Sequence, residues 1–333
     1  MNKADLIQCL ERVKPGLSNK EMIEQSTSFA FIEGRVVTYN DEISISHPVP
    51  GLGDVTGAIK ADELYKLLSK LSEDDIEVSV SGPEVILKAG RSKAGFTLQT
   101  EIKLPLDEVP APSKWKDVPD GFLEAIRFTS SSCSRDMSRP VLTCLNVRDS
   151  GVVEASDNLR ITNYDLGNKM PVPTFLLPVT SAKEILAYKI NKICKSDGWI
   201  HFKTNEDTIL SCRIFEDKFP DVSKFFDVEG DEIKLPKDLH SALDKASVFA
   251  VDGEIMSVTL TLKPKKMIVR GRSTSGWFEE EMPARYNGKE ITFTTCPKTL
   301  QDITSQTTTC ILGKNVMLFA GDKWKHVVSL AEG

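Results

Sequence analysis

Side chains that could do chemistry are scattered along this chain and form no recognisable set. None of the four histidines has ligand-like spacing to a cysteine or an acid, which argues against a metal site. They are His47, His201, His240 and His326. Residues 90–95 (GRSKAG) resemble a phosphate loop, but no helix follows them, so we interpret them as a basic turn between two strands. Acidic pairs such as Asp74 and Asp75 indicate solvated turns and not an acid–base dyad.

Known catalytic signatures are also absent. The sequence lacks the nucleotide-binding G-x-x-x-x-G-K-[ST], the nucleophile elbow G-x-S-x-G, the zinc-protease H-E-x-x-H and the dinucleotide-binding G-x-G-x-x-G. An enzyme built on this chain would need a nucleophile, a base or a metal set that we do not find. We therefore predict a protein that is not an enzyme and uses no cofactor.

The elements that would position any site repeat along the chain. Residues 56–100, 174–220 and 290–330 each contain a short apolar strand, a helix and two or three alternating strands, and they begin about 117 residues apart. Residues 4–48, 121–166 and 238–284 repeat in the same way, each as a helix followed by strands. Six such units pair into three domains, which we predict at residues 1–112, 113–228 and 229–333.

Charge is distributed unevenly between the predicted elements. We predict helices over residues 3–14, 60–71, 119–132, 181–196, 236–248 and 297–304. These segments contain 14 Lys or Arg and 10 acids, whereas the rest of the chain contains 28 bases and 38 acids. Helices on one side of the sheets would give that side a positive surface that attracts a polyanion. Lysine also suits any solvated helix surface, and that simpler explanation stays open.

Composition is that of a water-soluble globular protein. The 333 residues are 40% hydrophobic and 27% charged, with a net charge of −6, which argues against a simple basic DNA-coating protein. No apolar run has the length of a membrane span, and the acidic residues in the first segment argue against a signal peptide. The seven cysteines are scattered and form no C-x-x-C pair, so we expect reduced thiols in a cytoplasmic protein.

Three stretches carry a family resemblance. Residues 215–222 (FEDKFPDV), 153–161 (VEASDNLRI) and 87–98 (LKAGRSKAGFTL) are similar to the motifs G-[KR]-F-P-D-Y, V-A-T-D-G-H-R-L and V-x-S-G-R-S-x-F-x-L. These motifs belong to the bacterial-type DNA polymerase III beta subunit family, the sliding clamps, which includes phage-encoded relatives. The resemblance covers the whole chain in matching order.

The resemblance implies an α+β DNA clamp fold in which helices line the central hole of a closed ring. Three domains per chain imply a head-to-tail dimer that encircles double-stranded DNA without reading its sequence and that tethers a DNA polymerase after a clamp loader has placed it. The implied location is the cytoplasm, or the host cytoplasm for a phage protein. The basic residues implied to face DNA are Lys3, Arg12, Lys14, Lys60, Lys66, Lys70, Arg127, Lys183, Lys189, Lys192, Lys195, Lys237, Lys245 and Lys298.

The family also binds partner peptides in a pocket between its second and third domains. Carried over by position, that pocket contains Leu142, Ser156, Asn158, Leu159, Arg160, Ile161, Pro220, Lys224, Phe225, Val327, Val328, Ser329 and Leu330. Ordinary core packing is the alternative for Leu142, Ile161 and Val327.

Two departures from the family pattern fall at this predicted pocket. Asn158-Leu159 replaces Gly-His, and residues 329–333 (SLAEG) replace M-P-M-[RK]-L. We expect them to remove a basic pocket edge and to alter partner affinity, as would suit a phage clamp dedicated to its own polymerase. A second functional hypothesis is a clamp-like scaffold that recruits transcription or repair proteins without encircling DNA.

Overall fold

The computed structural model describes residues 1–53, 55–250 and 257–332. Six α-helices lie within these ranges: α1 Lys3–Val13, α2 Ala61–Leu68, α3 Phe122–Thr129, α4 Val179–Ile185, α5 Leu239–Ser247 and α6 Pro297–Thr304. The first twelve strands are β1 Ser28–Ile32, β2 Arg35–Tyr39, β3 Ile43–Pro48, β4 Gly57–Lys60, β5 Glu77–Ser81, β6 Glu84–Ala89, β7 Ser92–Thr97, β8 Lys116–Asp117, β9 Cys144–Val147, β10 Val152–Ser156, β11 Arg160–Asp165 and β12 Phe175–Pro178. The other twelve are β13 Ile190–Ser196, β14 Trp199–Thr204, β15 Ile209–Arg213, β16 Asp231–Lys234, β17 Val258–Lys263, β18 Lys266–Ser273, β19 Gly276–Pro283, β20 Ile291–Thr295, β21 Thr309–Leu312, β22 Val316–Ala320, β23 Trp324–Ser329 and β24 Ala331–Glu332.

Packing divides the chain into two compact units. Unit 1 contains residues 1–119 and 170–216, and unit 2 contains residues 120–169 and 217–333. The three-domain division at residues 112 and 228 stays a prediction.

Unit 1 is built on an eight-stranded antiparallel sheet in the order β4-β1-β2-β3-β15-β14-β13-β8. Strands β3 and β15 join its two halves, with Ile45 opposite Leu210. Helix α1 packs on β2 and β3 through an apolar stripe at helical spacing that includes the buried Leu6, Leu10 and Val13. In a separate sheet, β5-β6-β7, the turn between β6 and β7 contains only residues 90–91. The basic turn predicted over residues 90–95 is therefore too long, because residues 92–95 belong to β7.

Unit 2 repeats this plan. Seven of its strands follow the order β9-β10-β11-β23-β22-β21-β16, and a further sheet has the order β19-β18-β17-β20-β24. Strands β11 and β23 join the halves of the first sheet. Helix α3 contacts β10 and β11, α6 contacts β23, and α5 packs against α6 and β17 to β19. The internal repeat predicted from the sequence therefore appears as one sheet in each unit, and equivalent strand pairs join the two halves of each sheet.

The predicted helix over residues 181–196 is wrong in its second half. Helix α4 ends at Ile185, and residues 190–196 form strand β13 between β14 and β8. A register shift between Ile190 and Lys192 interrupts the alternation of this strand. Because of this bulge, the apolar residues of β13 recur at a helix-like interval. The sequence pattern therefore predicted a helix where the structure has a strand. The predicted helices 60–71, 119–132 and 236–248 are real but shorter.

Thiols, possible membrane spans and possible metal clusters are further features of the described residues. All seven cysteines are free thiols, and six of them are buried. Within the described ranges, no helix is both long enough and apolar enough to span a membrane. In the same ranges, no three His, Cys, Asp or Glu side chains cluster in a way that could hold a metal ion.

Candidate functional site

A cavity of about 720 Å³ opens on unit 2 beside strands β11 and β23, and we call it the β11–β23 pocket. Its lining is formed by Arg139, Pro140, Val141, Leu142, Ser156, Asn158, Leu159, Arg160, Ile161, Asp217, Lys218, Pro220, Asp221, Val222, Phe225, Val316, Val327 and Ser329. Buried aliphatic side chains provide an apolar floor, and charged and hydroxyl groups surround it. Such a cavity suits an apolar side chain of a short peptide or a small molecule.

Strand pairing positions the floor of the pocket. Ile161 of β11 lies opposite Val327 of β23, and both side chains line the pocket. Because side chains alternate along a strand, the next pair, Thr162 and His326, points to the opposite face of the sheet, where α3 and α6 pack. Strand alternation therefore separates pocket residues from helix-face residues along the same two strands.

The turn between β10 and β11 supplies the polar rim. Asn158 has a left-handed backbone with φ of 71°, a conformation that Asn tolerates better than most residues do. This position corresponds to the glycine of the family motif, so Asn158 keeps the turn despite the substitution. One carboxylate oxygen of Asp157 accepts hydrogen bonds from the backbone N–H groups of Leu159 and Arg160, both at 3.0 Å.

Residues 217–226 form another wall. Asp221 accepts hydrogen bonds from the backbone N–H of Ser223 at 3.0 Å and from its hydroxyl at 2.7 Å, and these bonds lower the pKa of Asp221. They fix the start of the 3₁₀ turn Ser223–Phe226. Phe225, within this turn, remains 47% exposed at the pocket mouth, so its ring is available to a ligand.

Arg160 links the pocket to the helix face. Only 8% of this residue is exposed. Its guanidinium donates to Asp157 at 3.1 Å, to Asp302 of α6 at 2.7 Å and to the backbone carbonyl of Ser131. A buried cation with this many acceptors holds the β10–β11 turn against α6 and the segment after α3.

Ten of the thirteen predicted pocket residues lie together in this cavity. Lys224 lies outside the lining, with its ammonium 5.4 Å from the centre of the Phe225 ring. Val328 and Leu330 instead belong to the buried core of unit 2. The alternation of β23 points Val328 away from the pocket, while Val327 and Ser329 line it.

Basic side chains are present at the pocket, and the expected loss of a basic edge at residues 158–159 and 329–333 stays a prediction. Arg139 and Lys218 line the cavity and supply positive charge from two other segments. Sequence reasoning also missed Pro140, Val141, Asp217, Asp221, Val222 and Val316. Residues 217, 218, 221 and 222 fall in the FEDKFPDV stretch, so that motif contained a usable signal. The sequence of residues 139–141 contained no signal of a pocket, because only the tertiary fold brings this segment to the cavity.

The basic residues predicted to face DNA have different surroundings. Five form ion pairs: Arg12 with Glu206, Lys60 with Glu21, Lys66 with Asp62, Lys192 with Asp117 and Lys245 with Glu280. Lys3 and Lys195 donate to backbone carbonyls, and Lys14 lies over the Tyr65 ring. Burial lowers the pKa of Lys195. The other six make no side-chain ion pair, hydrogen bond or ring contact with any residue that the structure describes: Lys70, Arg127, Lys183, Lys189, Lys237 and Lys298.

The predicted positive charge of the helices is not observed. The six helices contain seven Lys or Arg and eight Asp or Glu. Several predicted DNA-facing lysines lie beside helix ends, including Lys14, Lys60 and Lys237. Lys192 and Lys195 lie on β13 and not on a helix. The excess of positive charge counted from the sequence depended on helix ranges that were too long.

Comparison with known proteins gives consistent results. No protein-family model matches the chain. The beta sliding clamp of Rickettsia bellii is 29% identical over 191 residues, an alignment that spans 52% of this chain and about half (49%) of that protein.

Solved structures are similar over the full chain. The DNA polymerase III subunit beta of Pseudomonas aeruginosa has a TM-score of 0.85 at 18% identity, covering 100% of this chain and 99% of that one. The sliding clamp of Bartonella birtlesii, solved with griselimycin bound, has a TM-score of 0.86 at 16% identity, with 100% and 98% coverage. The sliding clamp of Bacillus subtilis has a TM-score of 0.82 at 19% identity, with 100% and 98% coverage. The chain therefore has the α+β DNA clamp fold, and its resemblance to the DNA polymerase III beta subunit family is confirmed.

Proposed function

We propose that this protein is a DNA sliding clamp, a processivity factor that encircles duplex DNA and tethers a replicative polymerase and other partners. The observation that carries the proposal is the similarity of the whole chain to beta subunits, at TM-scores of 0.82 to 0.86. The function is topological and needs no chemistry, which agrees with a sequence that contains no catalytic signature. Partners would be sequence-independent duplex DNA, a polymerase and a clamp loader.

A head-to-tail dimer is supported by the internal repeat. Strand β3 pairs with β15, and the equivalent strand β11 pairs with β23. The remaining equivalent strands are β19, within residues 238–284, and β7, within residues 56–100, and each is the outermost strand of its sheet. We infer that β19 of one subunit pairs with β7 of the other. Because this contact joins two different surfaces, a second copy of it closes a ring.

Charge and exposed apolar surface on these two strands are complementary. The edge strand β7 carries the exposed Lys93 and the half-buried Phe96. Strand β19 carries Glu279, Glu280 and Glu281, which also form ion pairs with cations of their own chain. Trp277, also on β19, is 67% exposed, which is unusual for so large an apolar side chain. Pairing the edges would cover that ring and satisfy their backbone groups.

The mass in solution tests the dimer directly. We expect about twice the chain mass of 36.9 kDa by light scattering at micromolar concentration. A monomer throughout the micromolar range would contradict the head-to-tail dimer. A three-subunit assembly would also contradict it.

A clamp-like scaffold that does not encircle DNA remains the second candidate. The helices of the described structure carry no net positive charge, and this observation favours it. It would recruit transcription or repair proteins through the β11–β23 pocket alone.

Topological retention distinguishes the two candidates. The purified protein is loaded onto a nicked circular plasmid with the clamp loader and ATP from the same source, and the complex is isolated by gel filtration. A sliding clamp co-elutes with the circle and is released when a restriction enzyme linearises it. Protein that never stays on the circle, or that stays equally well on linear DNA, contradicts encirclement.

We propose further that the β11–β23 pocket binds the partner peptide. The expected anchor is an apolar side chain on the floor made by Leu142, Ile161 and Val327, with Phe225 covering it. Truncating an aromatic residue at the mouth of such a pocket removes about 2 kcal/mol of binding energy. Phe225→Ala should therefore weaken binding of a bacterial clamp-binding peptide about 30-fold in a fluorescence anisotropy titration.

A matched control separates binding from general surface effects. Met22 is 88% exposed and lies in unit 1, so Met22→Ala should leave peptide affinity unchanged. Equal affinities for wild type and Phe225→Ala would show that the peptide binds elsewhere. If wild type does not bind the bacterial peptide, the same comparison is made with a peptide from the protein's own polymerase.

A further inference from the structure

Strand β5 is an outer strand of the small sheet of unit 1, and its outer edge borders a cavity of about 360 Å³. Val78 and Val80 of β5 line this cavity together with Leu52 and Leu98. Val80 is 46% exposed, whereas Leu52 and Leu98 are buried. We call the outer edge of β5 and this cavity the β5 slot. Neither the proposed peptide pocket nor the proposed dimer contact uses it.

The internal repeat shows what covers this edge elsewhere in the chain. Strands β5, β13 and β21 are equivalent, because each follows the helix of its repeat and forms a hairpin with the next strand. On its other side, β13 pairs with β8, and β21 pairs with β16. Strand β16 covers residues 309–312 of β21 completely. Counted back from the hairpin turn, the equivalent residues of β5 are 77–80.

On the same side of β5, the structure describes only a short pairing with the first two residues of the chain. Met1 donates from its amino terminus to the carbonyl of Ile76 at 2.8 Å and accepts from the Ile76 N–H at 2.9 Å. Backbone groups alternate between the two edges of a strand, so Val78 and Val80 direct their N–H and C=O groups outward as Ile76 does. No described residue pairs with these groups. Such an edge is a template for another strand.

Acidic side chains flank the β5 slot. Asp74, Asp75 and Glu77 are exposed, and their carboxylates form no ion pair with any residue that the structure describes. Lys88 lies opposite Glu77 on the inner strand β6, so the base nearest to Glu77 in the sheet is on the side away from the slot. A segment that enters the slot therefore meets negative charge at its outer edge, which favours a basic segment.

The equivalent strand β13 shows how a covering strand answers a charge at this position. Lys192 of β13 is the residue equivalent to Glu77, and Asp117 of β8 lies opposite it in an ion pair of 2.8 Å. Opposite residues of neighbouring strands lie on the same face of a sheet and interact. A strand that covers β5 should therefore have lysine or arginine opposite Glu77, which reverses the charges of the Lys192–Asp117 pair.

We propose that the β5 slot binds an extended segment of a partner protein, which adds an antiparallel strand to the small sheet. Apolar side chains opposite Val78 and Val80 would enter the cavity, and they would alternate with basic side chains, one of which lies opposite Glu77. Backbone hydrogen bonds supply affinity in such strand addition, and the alternate side chains supply specificity. The contact goes beyond the proposed clamp function, since it requires neither encircled DNA nor the β11–β23 pocket.

Hydrogen exchange tests strand addition on the full-length protein. The probe is a synthetic peptide of alternating lysine and valine, and the control peptide has proline in place of its central valine. The amides of Val78 and Val80 should exchange rapidly in the free protein. A saturating concentration of the probe should slow exchange at about two amides of β5 by about tenfold or more, because each gains a backbone acceptor. The proline peptide should give no protection, and an unprotected β5 in the presence of the probe overturns the proposal.

Two variants assign the contact in fluorescence anisotropy titrations with labelled peptides. Val80→Pro removes an outward N–H, which an edge strand tolerates, and should lower probe affinity about tenfold. Glu77→Lys should weaken the lysine–valine peptide about fivefold and strengthen a glutamate–valine peptide. The charge-matched control Glu63→Lys, on the exposed surface of α2, should change neither affinity. Affinities that stay at the wild-type value in both β5 variants would contradict the assignment.

Further outcomes identify other occupants and separate this site from clamp activity. Protection of Val78 and Val80 that rises with protein concentration, in the absence of the probe, identifies a second copy of this chain and overturns the proposal. Phe225→Ala should leave binding of the lysine–valine peptide unchanged, and a loss of affinity in that variant would assign the peptide to the β11–β23 pocket instead. A protein that fails topological retention but binds the probe at β5 has this docking site without being a clamp.

Discussion

At the scale of single residues, the buried polar groups of unit 2 are the most consequential. Arg160, Glu154 and His326 are each less than a tenth exposed, yet each carries a polar or ionisable group. Buried polar side chains are costly unless they are hydrogen-bonded, so their partners determine whether they stabilise the fold. Arg160 and Glu154 both have hydrogen-bond partners, and they give two stability predictions.

Arg160→Ala should lower the free energy of unfolding by about 3 kcal/mol, because removing one partner of a buried ion pair leaves the other uncompensated. Urea denaturation followed by circular dichroism measures this loss. Arg270→Ala is the matched control, since Arg270 pairs with Glu279 on an exposed strand surface and should cost less than about 1 kcal/mol. Equal losses of unfolding free energy in the two variants would mean that the three Arg160 contacts stabilise the fold no more than one exposed ion pair does.

Glu154→Gln should stabilise the protein at pH 7 and have little effect near pH 4. Burial raises the pKa of Glu154, although hydrogen bonding from Asn146 at 2.7 Å and the charge of Arg148 oppose the shift. A carboxyl group with a raised native pKa binds its proton more tightly in the folded chain, so stability is lost as pH rises above the ordinary value of 4.5 and through the raised pKa. Glutamine keeps an acceptor for Asn146 and never ionises.

Thermal denaturation of Glu154→Gln and wild type across this pH range measures the difference. The exposed Glu232→Gln should give a curve parallel to that of wild type. A Glu154→Gln variant less stable than wild type at pH 7 would show that the interaction with Arg148 outweighs desolvation.

At the scale of elements, equivalent strands of the repeat pair with one another. Strand pairs β3–β15 and β11–β23 each join two halves of a sheet, and the equivalent strands β19 and β7 each lie at a sheet edge. Exposed edge strands template further pairing, so their chemistry indicates the partner they accept. The acidic run on β19 and the lysine on β7 favour pairing of these two strands between two copies of this chain.

Lys93→Glu should weaken the proposed dimer at least tenfold, because it places a negative charge on β7 against the acidic run of β19. Sedimentation equilibrium measures the dissociation constant. Lys88→Glu is the matched control, since Lys88 lies directly opposite Lys93 but on the inner strand β6. Equal dissociation constants for the two variants would exclude β7 as the interface strand.

At the scale of the whole molecule, the cations that have no partner among the described residues are the best candidates for contacting DNA. Lys183, Lys189 and Lys298 have no ion-pair partner among the described residues, whereas several other predicted DNA-facing residues are already neutralised by acids. Surface ion pairs contribute little to stability, so a paired lysine can leave its acid and bind a phosphate instead. It must first break its ion pair. Unpaired cations release counterions on binding without that cost.

Changing Lys183, Lys189 and Lys298 together to Glu should abolish most retention on circular DNA. In a titration with duplex DNA, the slope of log affinity against log salt concentration should fall by about two to three, because each phosphate that is no longer neutralised contributes about 0.9 to the slope. The control triple changes Lys169, Lys314 and Lys325 to Glu and produces the same net charge. If both triples behave alike, net charge and not the position of the cations governs DNA binding.

The repeat and its helix-plus-sheet units are visible in the amino-acid sequence, and the family motifs predicted most of the pocket. Alternating apolar residues recurring about every 117 positions define strands and helices locally, and local patterns are what a sequence displays directly. The FEDKFPDV and VEASDNLRI stretches contributed much of the pocket lining through their resemblance to family motifs.

Three other features depend on tertiary packing. A bulge at residues 190–192 makes the sequence of β13 resemble a helix, and the two lysines of β13 account for part of the positive charge assigned to the predicted helices. Arg139 comes to the pocket from a segment that carries no family motif, so no spacing along the chain could predict its charge there. Nε2 of His326 has no hydrogen-bond partner among the described residues, and this depends on what surrounds the ring in three dimensions, because burial and hydrogen bonding are properties of packing and not of residue order.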